Sequence, residues 1–361
     1  MLTRLAEFIE GLSAKDDVGV LVHCDPDGLG SAVVLLEAIK QKTGKEAKAL
    51  ACSPYGGQEL MQKKLDFFEY ARCNKLMVAD LSFDQDDFFV IGAEKFCETV
   101  LFVDHHKVYQ DLNSKKTVFI KADFVSSVES SAYPASKLCF DLFSNLVDLH
   151  RIDWVVCVGI LGDVAGLQWK EFVESAMKRN HCSFQELDEC KEIIEAIGLL
   201  EPFQFIELVR AFWAAKSPRE ILSSSFSRSL AEMRSEMDFW LEKFRNEKEV
   251  FPELELVWFE CKPRFPIKSP LVNKISIELF PKQTVVFVQD IREKDSHITV
   301  SSRRQDGKVR VNDLLENAVK GIPDSLAGGH APAAGARIPR EYLRQFKQNL
   351  LAELKKLRSK K

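Results

Sequence analysis

The sequence has no uninterrupted apolar run of the roughly 18 residues that a membrane-spanning helix needs. Residues 1–17 alternate charged with apolar side chains and lack the apolar core of a secretory signal peptide. The nine cysteines are scattered singly and form no Cys-x-x-Cys pair, which disfavours a disulfide framework or a structural zinc site. These absences predict a cytoplasmic protein with free thiols that does not bind a membrane.

A strong excess of positive charge is also absent. The 50 Lys and Arg residues are balanced by 54 Asp and Glu residues, for a net charge of −4. This balance disfavours a broad, nonspecific nucleic-acid surface. Residues 340–361 are the exception, with eight basic and two acidic side chains. A solvated helix end is the simpler interpretation of this segment, and a contact with a phosphate backbone is the alternative.

The order of apolar and amphipathic segments predicts the domain organisation. In residues 1–166, buried strands alternate with helices, which is typical of parallel βαβ units. Residues 167–251 have the pattern of a helical connector, and residues 252–361 that of a smaller α/β domain with a basic C-terminal helix. The strands are predicted at 18–24, 46–52, 75–81, 99–106, 254–262, 283–292 and 296–304, and the helices at 31–41, 131–146, 151–166, 311–320 and after Pro339. The predicted fold class is therefore α/β.

Polar side chains follow several of the predicted strands. His23, Asp25 and Asp27 follow the first strand, Asp80 ends "LMVAD", and Asp104, His105 and His106 end "LFVDHH". The carboxyl ends of parallel strands share one edge of a sheet, where ligands bind. Asp163 follows an apolar helical segment and could join them. Each motif alone could be a helix cap or a turn, but their joint placement favours a common site.

Carboxylates crowded together without a partner would be very costly, and metal ions would remove that cost. Mixed carboxylate and imidazole ligands suit Mn²⁺, Mg²⁺, Zn²⁺ or Fe²⁺, and the general affinity order does not choose among these ions. The ligands suffice for two metals about 3.5–4 Å apart, an arrangement that activates water against phosphorus. For the first motif we expect a loop shaped by Pro26 and Gly28. Gly30 and Ser31 are then expected to let the next helix begin near a phosphate.

Four motifs resemble, in this order, those of the DHH phosphoesterase superfamily. They are "HCDPDG" (23–28), "VAD" (78–80), "VDHH" (103–106) and "GILGD" (159–163). Two later segments, "ITVSSRR" (298–304) and "GGHAPAAGARI" (328–338), resemble the C-terminal domain that accompanies many DHH domains. The form of the first motif and "ESSAYPASKLCFDL" (129–142) resemble the archaeal RecJ-like subgroup.

The resemblance implies a role for each matching residue. It implies two divalent ions, with Mn²⁺ preferred and Mg²⁺ as the alternative. Asp104 would orient the neighbouring histidine, and His106 would face the scissile phosphate. The implied ligands of the first metal are His23, Asp25 and Asp80, and those of the second are Asp27, Asp80, His105 and Asp163. The implied substrate-binding residues are Ser301, Arg303, Arg304, Gly328, Gly329 and His330.

The same resemblance implies a RecJ-like exonuclease. Such an enzyme would hydrolyse single-stranded DNA or RNA from an end, through activation of water by two metals. The alternative is a phosphoesterase on short oligonucleotides, a bisphosphate nucleotide or a cyclic dinucleotide. A third hypothesis is a non-catalytic replication partner, which the complete set of ligands disfavours. The expected partners are single-stranded nucleic acid or a short oligonucleotide, with replication or repair proteins as further candidates.

Overall fold

Five apolar segments in the first part of the chain form a parallel sheet. The structure is a computed structural model that describes residues 2–54, 57–265, 267–290 and 296–359. The chain divides into two compact units, Met1–Leu230 and Ala231–Lys361. The strands of the first unit are β1 (Val18–His23), β2 (Ala49–Ser53), β3 (Lys75–Ala79), β4 (Thr99–Asp104) and β5 (Thr117–Lys121). Their order across the sheet is β2-β1-β3-β4-β5, and every pair is parallel.

Helices cover this sheet, which explains why its strands are nearly continuous apolar runs rather than alternating ones. The helices of the first unit are α1 (Leu2–Glu10), α2 (Pro26–Thr43), α3 (Gln58–Tyr70), α4 (Phe88–Phe96), α5 (Ala122–Val125), α6 (Ala135–Phe143), α7 (Asp153–Gly162), α8 (Lys170–Asn180), α9 (Phe184–Leu200), α10 (Phe205–Ala214) and α11 (Pro218–Leu222). Helix α12 (Ser227–Glu247) begins in the first unit and lies mostly in the second. Phe68 of α3 and Phe89 of α4 pack against Phe102 of β4 in one buried apolar cluster. Helices α2, α6 and α7 pack against one another.

A six-stranded sheet organises the second unit. Its strands are β6 (Glu249–Phe251), β7 (Leu256–Cys261), β8 (Thr284–Gln289), β9 (His297–Arg303), β10 (Leu326–His330) and β11 (Ala333–Pro339), in the order β10-β11-β9-β8-β7-β6. Only β7 and β8 pair in parallel among these described strands. The helices are α13 (Lys268–Lys274), α14 (Val311–Ala318) and α15 (Leu343–Ser359). Leu314, Phe346 and Leu350 bury one face of the sheet together with Val300.

The predicted fold class is confirmed, with a parallel α/β sheet first and a second sheet in the C-terminal region. The elements differ from prediction in several places. Helix α2 begins at Pro26 rather than near 31, and strands β5 and β6 and helices α4 and α13 were not predicted. The segment "GGHAPAAGARI" belongs to the hairpin of β10 and β11. The last two positions of the predicted strand 283–292 lie outside the described residues. No described helix combines the length and apolar character needed to cross a membrane.

Candidate metal centre

The first motif is a helix start and not a loop. Asp25 is the N-cap of α2, where its Oδ1 accepts a hydrogen bond from the Gly28 N–H at 2.8 Å. Pro26 occupies the first helical position, which suits its fixed φ and missing N–H. A side chain at position 28 has no room, because a Cβ there would lie 2.2 Å from the His23 carbonyl oxygen. The chain therefore turns tightly from β1 into α2, and the first turn of α2 places the Asp27 side chain at the carboxyl edge of the sheet.

Gly30 has a packing role that corrects the expectation from sequence. A Cβ at Gly30 would lie 2.8 Å from the Ser136 Cβ, so glycine lets α2 and α6 approach closely. Ser31 is fully buried. Neither position lies in the cleft at the sheet edge, and the predicted contact of this segment with a phosphate is therefore not favoured by its surroundings.

Asp27 is held at the N-terminus of α6. Its carboxylate accepts hydrogen bonds from the backbone N–H of Ala135 at 2.6 Å and of Ser136 at 2.9 Å, and from the Ser136 hydroxyl at 2.5 Å. Only 1% of Asp27 is exposed. Helix N-termini favour negative charge because their first N–H groups lack partners within the helix. This contact orients the carboxylate toward His105.

His105 lies at the centre of three acidic side chains. Its Nε2 is 3.4 Å from Asp163 Oδ2, 3.5 Å from Asp80 Oδ1 and 3.8 Å from Asp27 Oδ2. Its Nδ1 is 3.1 Å from the Ser130 carbonyl oxygen, which places the ring proton on Nδ1 and turns Nε2 toward the carboxylates. Four sequence-distant residues thus converge at the carboxyl edge of the sheet.

A second group surrounds the end of β1. The Nδ1 of His23 is 2.6 Å from Asp25 Oδ2 and 3.8 Å from Asp80 Oδ2. Three sets of possible ligand atoms lie within 4.8 Å of one another: His23 with Asp25 and Asp80, Asp27 with His105 and Asp163, and Asp80 with His105 and His106. Asp80 belongs to two of these sets. Its Oδ1 also lies 3.5 Å from Nε2 of His105, which is a member of the third set. The structure therefore brings together all six residues for which a ligand role was expected.

The chemistry of these side chains, and not only the short distances between them, fits divalent cations. Among the described residues, Asp80 Oδ2 and Asp163 Oδ2 are buried without a hydrogen-bond partner. A buried carboxylate oxygen with no donor is costly, and a cation would satisfy it. Carboxylate oxygens and imidazole nitrogens are suitable ligands for Mn²⁺ and related ions. A cleft of about 410 Å³ opens over the group and is also lined by Lys107, Ser130 and Ser131.

The carboxyl groups disturb one another's protonation. Burial, followed by the charges of Asp27 and Asp25, raises the pKa of Asp80 well above its usual value. Burial and the charge of Asp27 raise the pKa of Asp163 to about 7. The pKa of Asp27 is also raised, first by burial. Without cations, the cluster therefore keeps protons that ordinary aspartates release near pH 4.

Asp104 differs from its neighbours because it is paired. Its Oδ1 is 2.7 Å from His106 Nδ1, and its Oδ2 accepts a hydrogen bond from Lys121 Nζ at 2.5 Å. Lys121 is fully buried and also contacts Asp84 at 3.1 Å. Burial raises the pKa of Asp104, but the hydrogen bond from His106 and the Lys121 charge outweigh it and lower the net value. Asp104 thus stays ionised and orients the His106 ring, which lines the cleft.

In the second unit, strand register aligns most of the expected substrate-binding residues. Ser301 lies beside Gly335, which lies beside Gly328 in the next strand. Arg303 lies beside Ala333, which lies beside His330. Directly paired residues of neighbouring strands share one face of a sheet. Gly329 has a φ of 134°, and a Cβ there would lie 2.6 Å from the Ala333 carbonyl oxygen, so this position requires glycine.

Arg304 is placed differently from the other expected substrate-binding residues. Its guanidinium donates hydrogen bonds to Glu255 and Asp306 at 2.5 and 2.7 Å, and only 1% of the residue is exposed. Arg304 follows the last residue of β9, and it lines a cleft with Leu354 and Arg358 of α15 rather than with Ser301 and Arg303. Its position indicates a structural ion pair and corrects the expectation of substrate binding.

Sequence reasoning missed the residues that support the cluster. Ser136 anchors Asp27, and Lys121 and Asp84 hold Asp104. The proline before Ala135 in "AYPAS" indicates the start of a helix, and the lysine that ends "TVFIK" is an unusual charge in an apolar strand. Neither pattern identifies the aspartate that the helix start or the lysine contacts, because those aspartates are distant in sequence.

Comparisons with known proteins agree with this architecture. Residues 271–357 match the family model of the DHHA1 domain. RecJ from Thermus thermophilus in complex with Mn²⁺ is 16% identical with a TM-score of 0.68, over 98% of this chain and 55% of RecJ. A structure described as exonuclease RecJ bound to manganese is 17% identical with a TM-score of 0.67, over 98% and 94%. CDC45 from Entamoeba histolytica is 10% identical with a TM-score of 0.57, over 98% and 99%.

The chain thus spans about half the length of the Thermus RecJ. No curated protein matches its sequence. Residues 271–357 therefore match a DHHA1 domain, and the chain as a whole shares the fold of the RecJ structures.

Proposed function

We propose that this chain is a metal-dependent phosphodiesterase that shortens single-stranded nucleic acid from one end. One observation carries the proposal. Seven possible ligands form three overlapping sets, two of which include Asp80, and two of their buried carboxylate oxygens have no hydrogen-bond partner among the described residues. Such a set suits two cations that share one carboxylate. The RecJ relative described as an exonuclease bound to manganese supports the same chemistry.

The residues of the chain have separate roles in this proposal. His23, Asp25 and Asp80 would hold one ion, and Asp27, His105 and Asp163 would hold the other together with Asp80. When bound, divalent ions lower the pKa of water and offset the negative charge on the attacking and leaving oxygens. Mn²⁺ is the ion we expect, and Mg²⁺ the alternative.

His106 would act on the substrate and not as a ligand. Its Nδ1 is engaged by the ionised Asp104, so Nε2 is the nitrogen that would face a phosphate in the cleft. An imidazole held in this orientation is suited to proton transfer with a phosphate oxygen or with the leaving oxygen. Asp104 is a positioning residue in this scheme, because it acts through His106.

In the second unit, Ser301, Arg303 and His330 would bind the phosphate backbone of the substrate. Arg303 presents a planar donor group suited to phosphate. The backbone of Gly328 and Gly329 leaves room for a close approach. We therefore propose that chemistry is carried by the first unit and that substrate contacts are added by the second.

Digestion of end-labelled DNA and RNA strands tests the proposal. Strands from dinucleotides to about thirty nucleotides are incubated with Mn²⁺, with Mg²⁺ and with EDTA, and the products are sized. Stepwise shortening of the long strands that EDTA stops is the expected result. Hydrolysis confined to the shortest strands would instead indicate a phosphoesterase of small nucleotides. No hydrolysis with either metal would contradict the proposal and favour a non-catalytic role.

A further inference from the structure

Two cationic side chains lie close together where helix α13 packs on the second sheet. Helix α13 packs against β8 and β9, and its first residue is Lys268. The Lys268 Nζ donates a hydrogen bond to the Val300 carbonyl at 3.2 Å. Three residues further along β9, Arg303 Nε donates to Asn273 Oδ1 at 2.7 Å and its Nη1 donates to Ser301 Oγ at 3.1 Å. The ammonium and the guanidinium therefore face the same small region.

The two cations have no acidic partner. Every acceptor that the structure gives them is a neutral carbonyl, amide or hydroxyl oxygen, and within residues 2–54, 57–265, 267–290 and 296–359 no carboxylate pairs with either side chain. Arg304 provides a contrast, since it is paired with Glu255 and Asp306. Partly buried positive charge without a counter-ion is costly, and an anion would offset that cost.

The protonation of Lys268 responds to this environment. Burial, followed by the charge of Arg303, lowers the pKa of the Lys268 ammonium to about 8. The Cys261 thiol also lies near Lys268, but burial raises its pKa to about 12, so it carries no charge that could offset this shift near pH 8. Burial also lowers the pKa of Arg303. Each shift has the direction expected for cations that lack a counter-ion.

We infer that Lys268 is a further substrate-binding residue, which together with Arg303 and Ser301 holds one phosphate group of the nucleic acid. This inference rests on the proposed function, because it identifies the anion as a phosphate of the substrate. It goes beyond the sequence motifs, which include Ser301 and Arg303 but not Lys268. Lys268 reaches the site from a separate element, and it makes phosphate binding depend on pH in the range where its ammonium titrates.

Sulfate binding by the full chain tests this role, because sulfate stays a dianion throughout the relevant pH range. Calorimetry on protein freed of metal would compare affinities at about pH 7 and about pH 9.5, in two buffers with different heats of ionisation. We expect weaker binding at the higher pH, and net proton uptake on binding near pH 8, since sulfate favours the charged ammonium.

Variants separate a binding role from a structural one. Lys268→Ala should weaken sulfate binding at pH 7 by about tenfold or more and abolish the proton uptake. Lys268→Arg should retain the affinity and lose its dependence on pH, because Arg does not titrate in this range. Lys320→Ala, an exposed lysine of the same unit, is the matched control and should leave both quantities unchanged.

Three results would overturn the inference: no sulfate binding by the unaltered chain, unchanged affinity in folded Lys268→Ala protein, or the same proton uptake in that variant. Thermal unfolding of each variant shows whether it is folded. Failure of the proposed function looks different. In that case, sulfate binds in the Lys268-dependent manner, but no strand is hydrolysed with any metal.

Discussion

Asp80 has a backbone conformation that its place in the sequence does not reveal. The carboxylate at the end of "LMVAD" is evident, but its backbone φ of 60° is not. Left-handed backbone is uncommon outside glycine, and Asp and Asn tolerate it best. Asp80 is only 2% exposed and lies among other carboxyl groups. Its place in the cluster thus depends on both its charge and its tolerance of this conformation.

Asp80→Asn should therefore separate metal binding from folding. The amide keeps the shape and the backbone preference, but it cannot ionise, so metal affinity and hydrolysis should be lost. The pKa of Asp80 is raised on folding, so this residue destabilises the folded metal-free protein progressively as pH rises above about 4. Metal-free Asp80→Asn should then unfold at a higher temperature than the unaltered chain at pH 8, and the gain should shrink toward pH 4.

Calorimetric metal titration and thermal unfolding measure these two effects. Asp66→Asn, at an exposed position of α3, is the control and should change neither quantity. Retained hydrolysis in Asp80→Asn protein would contradict the assignment of Asp80 as a shared ligand.

His106→Gln distinguishes a substrate-facing role from a ligand role. The His106 side chain is about a third exposed, so the variant should fold normally. We expect kcat to fall about 100- to 10,000-fold, as for the loss of a group that transfers a proton, while Mn²⁺ affinity stays the same. Steady-state kinetics and metal titration provide the two readouts. A parallel loss of Mn²⁺ affinity would show instead that His106 binds metal together with Asp80 and His105.

At the scale of elements, strands with continuous apolar patterns were predictable, and elements defined by distant partners were not. The apolar run before His23 predicts β1 from local pattern alone. The glycines of β10 have little strand preference, and that strand exists because β11 pairs with it along its whole length. The early start of α2 is a local feature that was missed, since Asp-Pro at an N-cap resembles a turn.

The short strand β5 shows how an element can support the site without touching substrate. Lys121 ends β5 and is buried between Asp84 and Asp104. Lys121→Met would leave two buried carboxylates without a cation, and removal of one partner of such a pair costs about 3–5 kcal/mol. Urea unfolding should show this loss as a lower free energy of unfolding. The kcat should also fall, because Asp104 orients His106. Lys115→Met, at an exposed neighbouring position, should be neutral in both assays.

At the scale of the whole molecule, sequence order was enough to predict that the acidic motifs meet, because parallel strands share a carboxyl edge. It could not predict where the Arg304 side chain lies or that Lys268 approaches Arg303. The first depends on where β9 ends, and the second on a short helix that packs from outside the motif. Register and packing, not residue type, decide these placements.

Metal binding should stabilise the molecule, and more so at higher pH. A ligand present at 100 times its Kd stabilises the folded state by about 2.7 kcal/mol. Protons compete for the same oxygens, and Asp163 with its pKa of about 7 keeps its proton in mildly acidic solution. The rise in melting temperature on adding Mn²⁺ should therefore be larger at pH 8 than at pH 5.5. An equal rise at both values would contradict a site built from these carboxylates.

The contact between Asp27 and α6 has a consequence for spectroscopy. Two backbone amides, those of Ala135 and Ser136, donate to the carboxylate whose Oδ2 faces His105. When a cation draws electron density from that carboxylate, the resonances and the hydrogen-exchange rates of these amides must change. The two amide signals can therefore report occupancy of the centre in the absence of any substrate, which allows the metal preference of the chain to be measured before its substrate is known.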